Sequence, residues 1–208
     1  MTAYSLHGLY AITDSHLMPD DRTLVASVEA ALEGGAAIVQ YRDKSQDAER
    51  RLRQALLLRD LCERFERPLL INDDLELALA SEAHGVHLGQ SDGSIAAARK
   101  RLGPDAVIGA TCHDSLALAL QARDEGADYV AFGAFFPSRT KPDARPAPLS
   151  LLPRAAQEVG LPVVAIGGIS MDNARQVSEA GASMIAVIHA LFAAADIRRQ
   201  AQRFSQQF

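Results

Sequence analysis

The 208-residue chain has only two cysteines, Cys62 and Cys112, and their spacing fits neither a disulfide framework nor a metal site. Cys62 falls on the apolar side of a helical pattern, which predicts a thiol packed in the core. Because no disulfides are needed, we expect a protein of the reducing cytoplasm. No segment has the pattern of a signal peptide or the length of a membrane span, so we expect no membrane association.

Excess positive charge is absent as well. The net charge of −5 at pH 7 argues against general binding to nucleic acid or to anionic membranes, although it allows a local basic pocket. The apolar fraction of 48% and the charged fraction of 23% are ordinary for a globular protein. A chain of this length can bury a sizeable core, and we expect one catalytic domain over residues 1–208.

Eight short apolar runs alternate with amphipathic segments along the chain. Each run has four to six residues and lacks polar alternation, which is typical of parallel strands that are covered on both faces. The runs are GLYAI, AIVQYR, PLLIN, GVHL, VIGAT, YVAFG, VVAIG and MIAVI.

Four of the predicted helix-to-strand turns look alike. Each has a glutamate, at Glu33, Glu82, Glu125 or Glu179, and a glycine within the next three residues. Glycine adopts the left-handed conformation that ends a helix, so we predict one type of turn used repeatedly. Eight strands with helices between them predict a small α/β protein, a (β/α)8 TIM barrel with short loops. The alternative is a doubly wound open sheet, which is weakened because no G-x-G-x-x-G follows the first run.

The end of the second run carries cationic side chains. In a (β/α)8 barrel the chemistry takes place at the carboxyl ends of the strands. Gln40 and Arg42 are two residues apart and therefore share a face, and Lys44 follows. Because an unpaired buried arginine is costly, the pattern predicts an anion at this mouth, with Asn72 beside it at the end of the third run. The alternative is a surface pair between Arg42 and Asp43.

Carboxylates follow the next two runs. Asp73 comes after the third run and Asp92 after the fourth. Magnesium is bound by one or two carboxylates together with water and phosphate oxygens, so the pair predicts a Mg²⁺ site. The alternative is that Asp73 or Asp74 caps one helix and Asp92 begins the next.

The other half of the mouth has features of a phosphate site. After the sixth run, Ser138, Thr140 and Lys141 offer two hydroxyls and an ammonium group to phosphate oxygens, whereas Arg139 points either inward or outward. Thr111 adds a hydroxyl at the end of the fifth run. The paired glycines of AIGGIS allow backbone N–H groups close to an anion. Together these features predict two anion sites, one for a diphosphate with Mg²⁺ and one for a monophosphate.

The motifs GLYAITD, QYRDK, IND, GVHLGQSD, GADYVAFGAFFPSRTKPD and PVVAIGGIS occur in this order over nearly the whole chain. In these motifs the sequence resembles the thiamine phosphate synthase family. The resemblance implies a magnesium-dependent transferase of thiamine biosynthesis. Such an enzyme joins 4-amino-2-methyl-5-hydroxymethylpyrimidine diphosphate to a thiazole phosphate, or to its carboxylated form, and releases pyrophosphate. The implied partners are therefore small molecules, and a homo-oligomer is compatible with the sequence.

The resemblance also implies site residues. Arg42, Lys44 and Lys141 would be catalytic, and Asp73 and Asp92 would hold Mg²⁺. The implied substrate-binding residues are Gln40, Tyr41, Arg42, Asp43, Lys44, Asn72, Thr111, Ser138, Arg139, Thr140, Lys141, Gly168, Ile188 and His189. The chain departs from the family pattern at His189, where serine is common, and at Asp74, where arginine is frequent.

A dissociative mechanism follows from the chemistry of these substrates. The aminopyrimidine ring delocalises positive charge, so pyrophosphate can leave first once cations neutralise it, and the thiazole nitrogen then captures the ring. No strong base is needed, which agrees with the lack of a Ser-His-Asp arrangement. The alternatives are a thiazole tautomerase on the same barrel and a non-catalytic sensor of a phosphorylated ligand. Asp73, Asp92 and Lys44 favour the synthase, while His87 either contacts the pyrimidine or is structural.

Overall fold

A computed structural model describes residues 4–137 and 146–208 and confirms the predicted barrel. Eight parallel strands form a closed barrel in which each strand pairs with its neighbours in sequence and β8 pairs with β1. The strands are β1 (Gly8–Ile12), β2 (Ala36–Tyr41), β3 (Leu69–Asn72), β4 (Gly85–Leu88), β5 (Val107–His113), β6 (Tyr129–Phe132), β7 (Val163–Ile166) and β8 (Met184–Val187).

Helices follow the strands and surround the barrel. They are α1 (Asp21–Glu33), α2 (Ala48–Arg64), α3 (Leu75–Ala80), α4 (Ile95–Leu102), α5 (Leu116–Asp124), α6 (Leu151–Glu158), α7 (Ala174–Glu179), α8 (His189–Phe192) and α9 (Ile197–Ser205). Several begin at an Asp or Ser whose side chain accepts a backbone N–H of the first turn, which satisfies a donor that the helix leaves unpaired. These residues are Asp20, Asp47, Asp74, Ser94, Ser115 and Asp196. Across the described ranges, no helix has both the length and the apolar character to cross a membrane.

The four similar turns are not all built in the same way. Three have a glycine in the left-handed region, namely Gly35 (φ 96°), Gly126 (φ 98°) and Gly181 (φ 104°). In the fourth, Glu82 itself adopts a φ of 51°. Gly85 is needed there for space, because a Cβ atom on it would lie 1.8 Å from the carbonyl oxygen of Val107. The repeated sequence pattern therefore has two different physical causes.

The core has two layers, one on each face of the barrel wall. The outer layer lies between strands and helices, and the inner layer fills the barrel. Side chains alternate between them along each strand, so both faces are buried, as the continuous apolar runs predicted. Each fully buried aliphatic side chain stabilises the fold by about 1.5–3 kcal/mol. The inner layer consists of Tyr10, Ile12, Ile38, Leu70, Val107, Tyr129, Ala131, Val164, Met184 and Ala186.

Both cysteines belong to the outer layer and are free thiols. Burial raises the pKa of each thiol to about 12. Cys62 is therefore a core thiol as predicted, and Cys112 lies on the face of β5 that points away from the barrel interior.

Candidate active site

A cavity of about 980 Å³ lies at the carboxyl ends of the strands, and all eight strands contribute to its lining. Ten of the predicted site residues line it. They are Gln40, Arg42, Lys44, Asn72, Asp73, Asp92, Thr111, Gly168, Ile188 and His189.

The side chains of Tyr41 and Asp43 do not line the cavity, and a substrate-binding role for these two residues stays a prediction. The buried Tyr41 hydroxyl donates to Oε1 of Gln54 on α2 at 2.8 Å. The Asp43 carboxylate accepts from the backbone N–H of Ser45 at 2.8 Å and pairs with Arg50 on α2 at 3.0 Å. Strand alternation continues through QYRDK, so its first, third and fifth residues face the cavity, and its second and fourth face the helix. The partner of Asp43 is thus Arg50 and not the neighbouring Arg42.

The backbone that carries Arg42 is fixed by Thr13, at the end of β1. The buried Thr13 hydroxyl accepts from the backbone N–H of Arg42 at 2.8 Å, and the Thr13 N–H donates to the Gln40 carbonyl at 2.9 Å. These bonds continue the β1–β2 ladder into the mouth. The guanidinium group of Arg42 is therefore presented from a rigid strand end.

The Asp73 and Asp92 side chains both line the cavity near the ends of β3 and β4, and each affects the pKa of the other. Asp73 has a φ of 61°, donates its backbone N–H to the His87 carbonyl at 2.8 Å, and forms an ion pair with Lys44. Asp92 accepts from the backbone N–H of Gly89 at 2.8 Å. Aspartate tolerates the left-handed region better than most residues, and such conformations cluster at functional sites.

The two carboxylates differ in proton affinity. Burial acts to raise the pKa of Asp73, but hydrogen bonds from Lys44 and Asp92 outweigh it and hold that pKa below its usual value. Burial and the adjacent Asp73 carboxylate raise the pKa of Asp92. Two neighbouring carboxylates of opposite shift indicate crowded negative charge, which a cation would relieve.

Helix capping does not account for this pair. Asp74 caps α3 by accepting from the Leu77 N–H at 2.9 Å, and it also pairs with Arg51 at 2.8 Å. Ser94, and not Asp92, caps α4. Within residues 4–137 and 146–208, no group of three or more His, Cys, Asp or Glu side chains is arranged to hold a metal ion. A two-carboxylate site fits Mg²⁺, whose remaining ligands in proteins are commonly waters and phosphate oxygens.

A chain of hydrogen bonds crosses the barrel below the cavity. Nε2 of Gln40 donates to the Tyr10 hydroxyl at 2.6 Å, and the Tyr10 and Tyr129 hydroxyls are 2.8 Å apart. The Tyr129 hydroxyl is 2.8 Å from Nδ1 of His87, whose Nε2 is 2.8 Å from the Thr111 hydroxyl. Burial raises the pKa of both tyrosines, so both stay protonated at neutral pH.

Sequence reasoning missed Tyr10 and Tyr129, because tyrosines inside apolar runs look like ordinary core residues. The available signal was their position on the inward face of a barrel strand. Sequence reasoning also gave no role to Gln90, Ser91 or His113, although all three line the cavity. Gln90 further donates from Nε2 to the Thr111 carbonyl at 2.5 Å.

The β7–β8 side of the mouth is built from backbone. Gly167 and Gly168 have φ values of 100° and 64°, and a Cβ on Gly168 would lie 2.4 Å from the Pro137 carbonyl oxygen. Only glycine fits this position. Ile188 and His189 line the cavity where α8 begins.

Four of the predicted ligand-binding residues, Ser138, Arg139, Thr140 and Lys141, lie outside the described residues and stay predictions. Pro137, which immediately precedes them, lines the cavity. The described chain thus reaches the site just before the segment that was predicted to bind phosphate.

Comparison with known proteins identifies the family of this chain. A family model described as thiamine monophosphate synthase matches residues 9–191. The chain belongs to this family. The expected resemblance is therefore confirmed.

Two curated relatives are similar over nearly their full length. The thiamine-phosphate synthase of Methylobacillus flagellatus is 55% identical over 211 residues, covering 100% of both chains. That of Nitrosococcus oceani is 52% identical, covering 98% of this chain and 94% of the relative. The predicted activity, a transferase of thiamine biosynthesis, agrees with these names.

A solved structure supports the same family. Thiamine phosphate pyrophosphorylase from Pyrococcus furiosus superposes with a TM-score of 0.87 and is 39% identical, covering 97% of this chain and 95% of the other. The closed barrel is thus shared with a protein of that name.

Proposed function

We propose that this protein joins 4-amino-2-methyl-5-hydroxymethylpyrimidine diphosphate to a thiazole phosphate, forming thiamine phosphate and pyrophosphate. The names of its relatives support the reaction. The observation that carries the proposal is one cavity where the Asp73–Asp92 pair meets Arg42 and Lys44. A tautomerase acting on one thiazole phosphate has no need of that combination.

The diphosphate is proposed to lie on the β2–β4 side. Arg42 and Lys44 supply positive charge there, Asn72 offers an amide, and Asp73 and Asp92 would hold Mg²⁺. When bound, the ion would neutralise phosphate charge. Lys44 already forms an ion pair with Asp73, and both residues line the cavity.

Arg42 is proposed to stabilise the charge that grows on the departing pyrophosphate. Its fixed backbone means that little reorganisation is needed as that charge develops, which is the condition under which such a group accelerates a reaction. The pyrimidine cation that remains must be protected from water. Apolar side chains of the inner wall, including Ile12, Val164 and Ile166, face the cavity and can cover the ring.

The thiazole phosphate is proposed to lie on the β7–β8 side, near Gly168, Ile188 and His189. Backbone N–H groups in left-handed glycine segments are suited to anions. The predicted residues Ser138, Arg139 and Thr140 would complete this site, and Lys141 would reach the diphosphate. The thiazole nitrogen carries no proton, so capture of the cation needs no general base.

We also propose a cytoplasmic location, which the two buried free thiols support. A homo-oligomer stays a prediction from the sequence.

The direct test is to mix the protein with Mg²⁺ and both substrates, and to measure pyrophosphate and thiamine phosphate. We expect equal amounts of both products, and none when the thiazole phosphate or Mg²⁺ is left out. Isomerisation of a thiazole phosphate without any thiamine phosphate would replace the proposal by the tautomerase. Binding of phosphorylated ligands without turnover would replace it by the sensor.

A further inference from the structure

The hydrogen-bond chain below the cavity connects two residues that line opposite parts of it, Gln40 on β2 and Thr111 on β5. We call this the tyrosine chain; its members are Gln40, Tyr10, Tyr129, His87 and Thr111. We propose that the tyrosine chain couples the two parts of the site: the group held at Gln40 sets whether Thr111 can donate a hydrogen bond to an anion.

The direction of the tyrosine chain follows from the orientation of the Gln40 amide, whose nitrogen faces Tyr10. The amide nitrogen of Gln40 can only donate, so the Tyr10 hydroxyl accepts from it. Tyr10 then gives its own hydrogen to Tyr129, which in turn donates to Nδ1 of His87. That nitrogen is therefore unprotonated, and the ring of the neutral histidine carries its hydrogen on Nε2.

The last link places a donor at the cavity. Nε2–H of His87 donates to the Thr111 hydroxyl oxygen, so the hydroxyl hydrogen of Thr111 is left for another acceptor. Thr111 lines the cavity, where a phosphate oxygen would be such an acceptor. Hydrogen bonds from a neutral donor to a charged oxygen are among the stronger ones in proteins.

The tyrosine chain has a second self-consistent arrangement, in which donor and acceptor are exchanged in every hydrogen bond. If Gln40 presents Oε1 to Tyr10, then Tyr10 donates to Gln40, and Tyr129 donates to Tyr10. His87 carries its hydrogen on Nδ1, and Thr111 must donate to His87. Thr111 then offers only lone pairs to the cavity, which is unfavourable for an anion.

A doubly protonated His87 does not fit as long as the amide nitrogen of Gln40 faces Tyr10. It would donate to both Tyr129 and Thr111, so Tyr129 would donate to Tyr10. Tyr10 would then accept from two donors, and its hydrogen would have no acceptor within the chain. Because Tyr10 and Tyr129 are fully buried, such a hydrogen would cost free energy.

The coupling follows from these two arrangements. A ligand that binds the oxygen of Gln40 holds its nitrogen toward Tyr10, and so keeps the chain in the direction that suits an anion at Thr111. The proposal uses the proposed function only for the identity of these ligands, a pyrimidine ring and a phosphate. Tyr129 is a positioning residue, because it does not line the cavity and acts through His87.

The first test determines the direction of the hydrogen bonds in the tyrosine chain from the tautomer of His87. In protein labelled with ¹⁵N-histidine, nitrogen shifts distinguish the two neutral tautomers, and the signals of His87 are those that disappear in His87→Gln. We expect an unprotonated Nδ1 and a protonated Nε2. Tyr129→Phe should remove the bond to Nδ1 and shift that signal, whereas Tyr41→Phe, which removes a buried hydroxyl on the other face of the wall, should not. A wild-type protein with its hydrogen on Nδ1 would overturn the proposal.

The second test measures the coupling between Gln40 and anion binding at Thr111. Gln40→Glu leaves only acceptor oxygens toward Tyr10, so it should reverse the tautomer of His87. Calorimetry would measure the affinity for inorganic pyrophosphate with and without Gln40→Glu, in the wild type and in Tyr129→Phe. We expect Gln40→Glu to weaken binding roughly tenfold more in the wild type than in Tyr129→Phe. The reason is that the change at Gln40 can remove the hydrogen bond from Thr111 to the anion only when the tyrosine chain is intact. The difference between backgrounds removes the direct effect of the new charge.

Equal weakening in both backgrounds would overturn the coupling. If the protein shows the expected tautomers but makes no thiamine phosphate, the proposed function fails, and the direction of the chain is still supported.

Discussion

The two faces of β2 carry the same kind of residues in different roles. On the inner face, Gln40 and Arg42 point their polar groups at an open cavity. On the outer face, Tyr41 and Asp43 bond to Gln54, Ser45 and Arg50. The inner groups are available to a ligand, whereas the outer groups hold the frame. One five-residue motif therefore contains both a binding surface and its support.

The same division occurs at β3 and β5. Asp73 joins Asp92 at the cavity, while the adjacent Asp74 caps α3 and pairs with Arg51. Thr111 lines the cavity, and its neighbour Cys112 is buried in the outer layer. The position of a residue within the alternation, more than its chemical type, decides its role. Paired variants of neighbouring residues can test this division.

The largest effect is expected at the inner face of β2. Arg42→Ala should lower kcat by about 10²–10³-fold, because it removes a fixed positive charge from the leaving group. The melting temperature should stay close to that of the wild type. Product formation and thermal unfolding measure the two quantities. Arg64→Ala, at the exposed end of α2, is the matched control and should be as active as the wild type.

The second-largest effect, on the free energy of unfolding, is expected at the outer face of the same strand. Asp43→Ala should lower the free energy of unfolding by about 3 kcal/mol, because it leaves Arg50 without its buried partner. Urea unfolding measures this loss. Activity should fall as well, through displacement of the segment that carries Arg42 and Lys44. A fully stable Asp43→Ala protein that has lost only substrate binding would put Asp43 back in the site.

The acid sensitivity of this anchor has a defined sign. Burial acts to raise the pKa of Asp43, but bonds from Ser45 and the charge of Arg50 outweigh it and leave the pKa lowered. Its stabilising contribution is therefore present above the unfolded pKa, about 4. It is lost as the pH falls through the lower folded value. Asp43→Asn should accordingly lose less stability than the wild type over that acid range.

A smaller contrast is expected between Asp73 and Asp74. Asp73→Asn should weaken the binding of Mg²⁺ in the presence of inorganic pyrophosphate by roughly tenfold, because one of two carboxylates is lost. Asp74→Asn should bind Mg²⁺ like the wild type. Asparagine preserves the helix cap, so the latter variant should lose only the ion pair with Arg51, about 0.2–1 kcal/mol. Calorimetry and urea unfolding separate these results, and equal Mg²⁺ affinities would remove Asp73 from the metal site.

The smallest effect concerns the thiols. With a pKa of about 12 and complete burial, Cys62 and Cys112 should not react with an aromatic disulfide reagent at pH 8 in the folded protein. Both should react after denaturation. Rapid labelling of Cys112 in the folded state would show that the outer face of β5 is accessible to solvent, and would contradict its assignment to the buried outer layer.

Much of the architecture was predictable from the sequence. Continuous apolar runs identified all eight strands, because a barrel wall buried on both faces leaves no room for polar alternation. The carboxyl ends of those strands then located eight cavity residues, and the family resemblance added Ile188 and His189. The turn at Glu82 was predicted for the wrong reason, since a glycine there supplies space and not a left-handed φ.

Two parts of the site were less accessible to sequence reasoning. Motif resemblance does not separate Tyr41 and Asp43, whose side chains bond to α2, from the neighbouring residues that line the cavity. The tyrosine chain was missed because its members come from β1, β2, β4, β5 and β6 and meet only when the barrel closes. The spacing of these residues along the sequence does not predict a contact across the barrel.

Gly109 on β5 makes room for the ring of Tyr129 inside the barrel. A methyl group there would sit 2.0 Å from the ring carbon that bears the Tyr129 hydroxyl. The aromatic ring occupies the volume that the glycine leaves empty, and from there its hydroxyl reaches both Tyr10 and His87. Any descendant of this chain that enlarges residue 109 must shrink residue 129 in the same step, or the ring will be displaced from its place between Tyr10 and His87.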